Sequence, residues 1–203
     1  AKYRLLSPVP GLVVFCLLYA ATLRDFDWIP WVEYLYGALW QGLGRHLLET
    51  DPLGSLSVLH IQPPGLMSIK AVDLVATPDS HEFLRLSFFA FGALSVILIV
   101  DGLHVSGLKS RWASSVGVVY ALLPGTVLYT LFPFSTAPTI FGCSLAIWGA
   151  AVARRSLIVG AWSSACGVFF LYAFRTSFTW VFVFLWLLSL VWLVFHLSQL
   201  KRE

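Results

Sequence analysis

The sequence predicts an all-α polytopic membrane protein with about six transmembrane helices. Three observations carry that prediction. Charged residues make up 11 % of the 203-residue chain and hydrophobic residues 59 %, with a mean hydropathy of +0.83, where a soluble domain carries about 25 % charged residues. The apolar residues fall into runs, several of them close to the roughly 20 residues needed to cross a bilayer core. The short connections between those runs carry Lys and Arg in pairs, the usual mark of membrane topology. No long repeat, low-complexity tract or soluble domain interrupts the pattern, so residues 1–203 read as one transmembrane domain.

The first span is expected over 5–23, with Pro8 and Pro10 near its start, where proline is best tolerated. Lys2 and Arg4 precede it, and Ala20-Ala21 resembles a cleavage site only loosely. It is read as a retained span rather than a signal peptide. From Trp31 the apolar positions Val32, Leu35, Tyr36, Leu39, Leu43 and Leu47 recur at helical spacing, with Glu33, Gly37, Gln41, Gly44 and Arg45 opposite. That pattern predicts an amphipathic helix lying on the membrane, anchored by Trp31 and Trp40. Pro52 and Gly54 end it. The run 65–76 is apolar but only about twelve residues long, and it contains Lys70 and Asp73 at i,i+3. Such a length suits an interfacial or half-inserted helix. Spans are then expected over 83–103, 112–131, 138–152, 157–173 and 178–197.

Charge placement supports leaving 65–76 out of the span count. With six spans, the pairs Lys2/Arg4, Lys109/Arg111, Arg154/Arg155 and Lys201/Arg202 share one side, which the positive-inside rule makes cytoplasmic. Both termini are then cytoplasmic, and segment 24–82 is external and juxtamembrane. The expected location is an integral membrane protein, in a bacterial inner membrane. The basic excess serves topology, and nucleic acid is not an expected partner; the lipid bilayer is.

Eight of the ten acidic residues lie in that external segment: Asp25, Asp27, Glu33, Glu49, Asp51, Asp73, Asp79 and Glu82. Carboxylates are costly in hydrocarbon and useful at its surface, so chemistry is expected here. Three of them have a structural reading beside the functional one. Asp27 also suits the cap of a helix starting at Trp28, with Pro30 in its first turn. Glu33 also complements that helix's dipole, and Asp25 also pairs with Arg24. His60 and Gln62 before Pro63-Pro64 also read as plain turn residues. Arg175, at the end of a span, also reads as a snorkelling side chain. Asp101 and His104 are expected to form a structural pair, and His46 and His81 to be solvated or interfacial. Cys16, Cys143 and Cys166 are expected as small buried hydrophobes. No histidine spacing fits a metal site, and no nucleotide-binding or protease motif is present.

The order of these features resembles a known family. A first span leads to an external acidic loop with an amphipathic helix, then to Pro63-Pro64 and a short helix. Leu84-Arg85-Leu86-Ser87 opens a long span, and Tyr120-Ala121-Leu122-Leu123-Pro124 lies in the next. This resembles the N-terminal membrane module of the GT-C glycosyltransferases, in the branch of protein mannosyltransferases and lipid A aminoarabinose transferases. The resemblance implies a GT-C-like fold and transfer of a sugar from a polyprenyl-phosphate donor to a lipid or protein acceptor. It implies a catalytic carboxylate at Glu33, or at Asp27 or Asp25 nearer the first span. It also implies donor-phosphate contacts from Arg175, with Arg24, Arg45 and Lys70 as further cations. The acceptor turn would be His60, Gln62, Pro63 and Pro64. The chain departs from the pattern at Ile61, where the family has a polar residue, and it is shorter than the family's enzymes. A non-catalytic subunit that kept the scaffold, with protein partners in a larger complex, is therefore the alternative. No cofactor is identified; a divalent cation fits the chemistry, but no ligand spacing supports one.

Overall fold

The computed structural model describes residues 6–25, 45–51, 54–55, 64–132 and 135–174, and among these every regular element is a helix. In chain order they are α1 (Val9–Asp25), α2 (Arg45–Thr50), α3 (Pro64–Ala76), α4 (Glu82–Val105), α5 (Ser110–Leu122), α6 (Pro124–Leu131), α7 (Thr136–Ala153) and α8 (Leu157–Phe174). Three of them, α4, α7 and α8, are long and apolar enough to cross a membrane. The α5–α6 pair makes a fourth candidate if it counts as one span, and α1 is a shorter apolar helix. The expected span 178–197 lies outside the described residues. So does the amphipathic helix from Trp31, apart from its end: α2 begins at Arg45 and seats Leu48, fully buried, beside α3.

Helix directions follow from the contacts. Gly11 lies against Val96, Phe15 against Gly92, and Tyr19 meets Phe89, so α1 runs antiparallel to α4. Ser7 Oγ bonds Ser110 Oγ, and Ser114 Oγ donates to the Ser7 carbonyl at 2.7 Å, so α1 and α5 start at the same end. Phe91 meets Phe141 while Trp148 Nε1 donates to Asp101 at 2.9 Å, which makes α7 parallel to α4. The turn Arg154–Ser156 then reverses the chain into α8. One end of the bundle therefore carries Lys109, Arg111, Arg154 and Arg155; the other carries Arg24, α3, Asp79, Glu82 and Arg85. Two of the four basic pairs expected on one side, Lys109/Arg111 and Arg154/Arg155, thus share an end; Lys2/Arg4 and Lys201/Arg202 lie outside the described residues.

Between α7 and α8 the contact is backbone on backbone. A Cβ on Gly149 would lie 2.5 Å from Ser164 N, and one on Gly160 would lie 2.4 Å from Ala153 Cα. Gly142 and Gly167 repeat this one heptad away, with Ala146 between them. Small residues allow such approach, and in lipid, where burial supplies no drive between helices, dispersion contacts of this kind hold a pair together. A second close crossing brings Gly11 of α1 against Gly117 of α5. An aromatic cluster joins an otherwise mainly aliphatic core: Phe91 touches Phe88, Phe141, Phe170 and Phe174.

Three expectations need correcting. The run 112–131 is not one helix: α5 and α6 meet at a bend of 57°. Pro124 has no N–H to donate and its ring clashes with the preceding turn, so Leu123 is extended (φ −64°, ψ 123°). Thr126 Oγ1 donates to the Tyr120 carbonyl freed by the break, at 2.7 Å. The cysteines are not all interior: Cys16 and Cys166 are exposed and Cys143 is half-buried. They sit on the outward faces of apolar helices, where a thiol meets hydrocarbon as readily as it meets a core. Finally, His81 is fully buried, because its imidazole closes onto a carboxylate in the α3–α4 turn.

Candidate functional site at the acidic end of the bundle

The α3 helix is 13 residues long, about 20 Å at 1.5 Å per residue, well short of a bilayer core about 30 Å thick. It ends where Pro78 follows Thr77, since proline disfavours helical geometry in the residue before it. Two turn hydrogen bonds then fold the chain back: Thr77 N–H donates to the Asp73 carbonyl at 2.7 Å, and His81 N–H to the Thr77 carbonyl at 2.9 Å. His81 takes left-handed backbone angles (φ 51°, ψ 30°). Such angles are uncommon outside glycine, though less so for histidine than for most residues. Its side chain does not cap the helix that follows.

Asp73 caps it instead. One carboxylate oxygen accepts the Leu84 N–H at 2.8 Å and the Thr77 hydroxyl at 2.9 Å, and the other bonds His81 Nδ1 at 2.6 Å. Thr77 Oγ1 in turn accepts the Phe83 N–H at 3.0 Å. Two of the four unpaired N–H groups at the start of α4 are thus satisfied from the preceding helix. The negative carboxylate also faces the positive end of the α4 dipole. Asp73 and His81 are both fully buried. Their bond makes α3, the turn and the start of α4 one rigid knot.

One turn before Asp73 lies Lys70, only 1 % exposed. Burial pushes its ammonium down to about 8 from its ordinary 10.5, because removing water penalises the charged form. Glu82 and Arg85 pair at i,i+3 on the first turns of α4. Tyr19, at the same end of α1, is buried, and its hydroxyl has no hydrogen-bond partner among the described residues. The α3 N-terminus reaches across to α8: a Cβ on Gly65 would lie 2.6 Å from the Ala173 carbonyl oxygen and 2.8 Å from the Phe174 ring. Glycine is what lets the chain just after Pro64 touch the end of α8.

Of the sequence-predicted site residues, Lys70 is buried at this end and Arg24 is exposed in the last turn of α1. Pro64 is exposed and starts α3. The backbones of Asp25 and Arg45 end α1 and begin α2, but their side chains lie outside the described residues. So do Asp27, Glu33, His60, Gln62, Pro63 and Arg175. The expected Asp101–His104 pair takes another form: Asp101 holds the Trp148 indole, and His104 Nδ1 is buried without a hydrogen-bond partner among the described residues. Among the described residues no three His, Cys, Asp or Glu side chains gather around a possible ion.

Sequence reasoning missed the Asp73–Thr77–His81 knot and the Tyr19 hydroxyl. The i,i+4 spacing of Asp73 and Thr77 just before Pro78 was a usable signal, since a helix stop with two acceptors can cap whatever follows. The partner, eleven residues on at Leu84, obeys no local spacing rule. The chain matches no family model, no curated protein and no solved structure.

Proposed function

We propose that the chain is a GT-C-like membrane glycosyltransferase, or the membrane module of one. It would move a sugar from a polyprenyl-phosphate donor to a lipid or protein acceptor on the non-cytoplasmic face. In this reading six spans cross a bacterial inner membrane, both termini are cytoplasmic, and the acidic end of the bundle is external. The observation that carries it is the seating of α3: a helix too short to cross the bilayer holds Lys70 buried at that end. Through Gly65, α3 also abuts Phe174, the residue just before Arg175 in sequence.

The chemistry asks for two things. A carboxylate (Glu33, Asp27 or Asp25) takes the proton from the acceptor hydroxyl as its oxygen bonds the anomeric carbon. The bond from that carbon to the phosphate oxygen breaks at the same time, and the electron pair leaves with the phosphate. Arg175, Arg24, Arg45 and Lys70 are the cations that would meet this growing charge. His60, Gln62 and the Pro63-Pro64 turn would border the acceptor. Attack from the face opposite the phosphate inverts the anomeric centre.

One observation favours the rival reading, a non-catalytic subunit. Asp73, a buried acid of the segment, is occupied as a helix cap, and Ile61 stands where the family has a polar residue. Purified chain supplied with radiolabelled polyprenyl-phosphate sugars and membrane extract separates the two. Transfer that falls at least 100-fold in Glu33→Gln or Asp27→Asn supports the enzyme. Transfer untouched by both ends the site assignment, and absent transfer with stoichiometric protein partners supports the subunit.

A further inference from the structure

We propose that the groove between α4 and α7 seats one anionic phospholipid, with an acyl chain along the groove and its phosphate at the basic end of the bundle. The cleft holds about 350 Å³ and is walled by Leu98, Ile99 and Leu103 of α4 and by Ile140, Cys143 and Ile147 of α7. Its shape comes from Gly102, which keeps the α4 wall low where Trp148 crosses it. The walls offer a polar ligand little. The Thr139 hydroxyl donates to the Ser135 carbonyl within its own helix; the other polar groups of the lining are the hydroxyls of Ser106 and Ser144 and the Cys143 thiol, and the rest is hydrocarbon. A flexible hydrocarbon chain is what such a trough accepts, and α4 and α7 are both long and apolar enough to be immersed in lipid.

Charge says which lipid. The groove ends at Ser106 on α4 and Ala151 on α7. Three residues beyond each in sequence, across the turn at Gly107 and just past the end of α7, come Lys109 and Arg154, followed by Arg111 and Arg155. All four are exposed. None forms an ion pair with a described carboxylate; the ion pairs of Asp73 and Glu82 lie at the other end. The Arg111 guanidinium rests 5.8 Å from the Trp112 ring centroid, a pairing common at headgroup depth. Asp101, the described acid nearest this end, is engaged by Trp148 Nε1 on the groove's flank. Basic residues flanking a cleft between transmembrane helices form a headgroup site for anionic lipid.

The test uses the full chain in neutral detergent, with native mass spectrometry and thermal melts. Phosphatidylglycerol and phosphatidylcholine of identical acyl chains are the probes. One phosphatidylglycerol per chain is expected, held at least ten-fold more tightly than phosphatidylcholine and raising the melting temperature. Arg154→Gln with Arg155→Gln, on exposed positions that leave folding intact, removes the difference between the lipids. Cys143→Phe, which fills the trough, weakens both. Equal affinity for the two lipids, or an unchanged preference in the double variant, overturns the proposal. So does a dimer or protein complex that Cys143→Phe disperses, because the groove would then be a protein interface.

Discussion

Replacing Asp73 tests the knot at the acidic end. Its carboxylate is fully buried and meets three donors: Leu84 N–H at 2.8 Å, Thr77 Oγ1 at 2.9 Å and His81 Nδ1 at 2.6 Å. Asp73→Ala leaves the Leu84 N–H and the imidazole buried with that acceptor gone. An unsatisfied buried donor costs about 1–3 kcal/mol, and two donors lose this acceptor, so the expected loss is about 2–6 kcal/mol. Asp73→Asn keeps an oxygen for Leu84 but lacks the charge, and about half that loss is expected. Reversible unfolding by sodium dodecyl sulfate in mixed micelles, followed by tryptophan fluorescence, reads both variants. A parallel measurement of amide hydrogen exchange should find lost protection in the first turn of α4 with the α7–α8 pair unchanged. An Asp73→Ala loss under about 1 kcal/mol, or exchange that rises evenly across the bundle, would refute the capping argument.

Other consequences are open to direct measurement. Lys70 binds its proton more weakly folded (about 8) than unfolded (10.5), so the unfolded chain holds more protons between those values. Stability should therefore rise with pH from about 8 to 10.5, by roughly 3 kcal/mol in all; Lys70→Met should remove that rise from the pH series. Gly149→Leu or Gly160→Leu forces a side chain where the facing backbone already lies at 2.5 Å or less, and a loss of at least about 3 kcal/mol, the upper range of overpacking, is expected in the same unfolding assay. Pro124→Ala restores the missing N–H and should reduce the 57° bend between α5 and α6, read as a longer spin-label distance between positions 112 and 131.

Much of this architecture is legible in the residues. The long apolar runs became α4, α7 and α8 within a few positions of their expected ends, because hydrophobic length and basic flanks are local signals. The shortness of α3 was equally visible. Pairings made across the fold were not. The Gly142/Gly149 and Gly160/Gly167 heptads appear in the sequence only as scattered glycines until α7 and α8 are laid side by side. The break at Pro124 was hidden because an apolar run of 20 residues looks continuous to a hydropathy reading. His81 looked solvated because its neighbours Asp79, Ser80 and Glu82 are polar; its burial depends on Asp73 folding back over the turn. Within the site, Lys70 was found from its charge in an apolar run, whereas Tyr19 looks like any aromatic near a span end.

The claim on which the account depends is that α3 stays at one face of the membrane, sharing it with the starts of α4 and α7. Single cysteines at Pro64, Ser80 and Ser106, in a background with Cys16, Cys143 and Cys166 replaced, can be probed in intact, oriented vesicles with a membrane-impermeant maleimide. The account predicts that positions 64 and 80 label from the same side and position 106 from the opposite one. Labelling of 64 and 80 from opposite sides would show α3 crossing the bilayer, and the arrangement of the acidic end would be wrong.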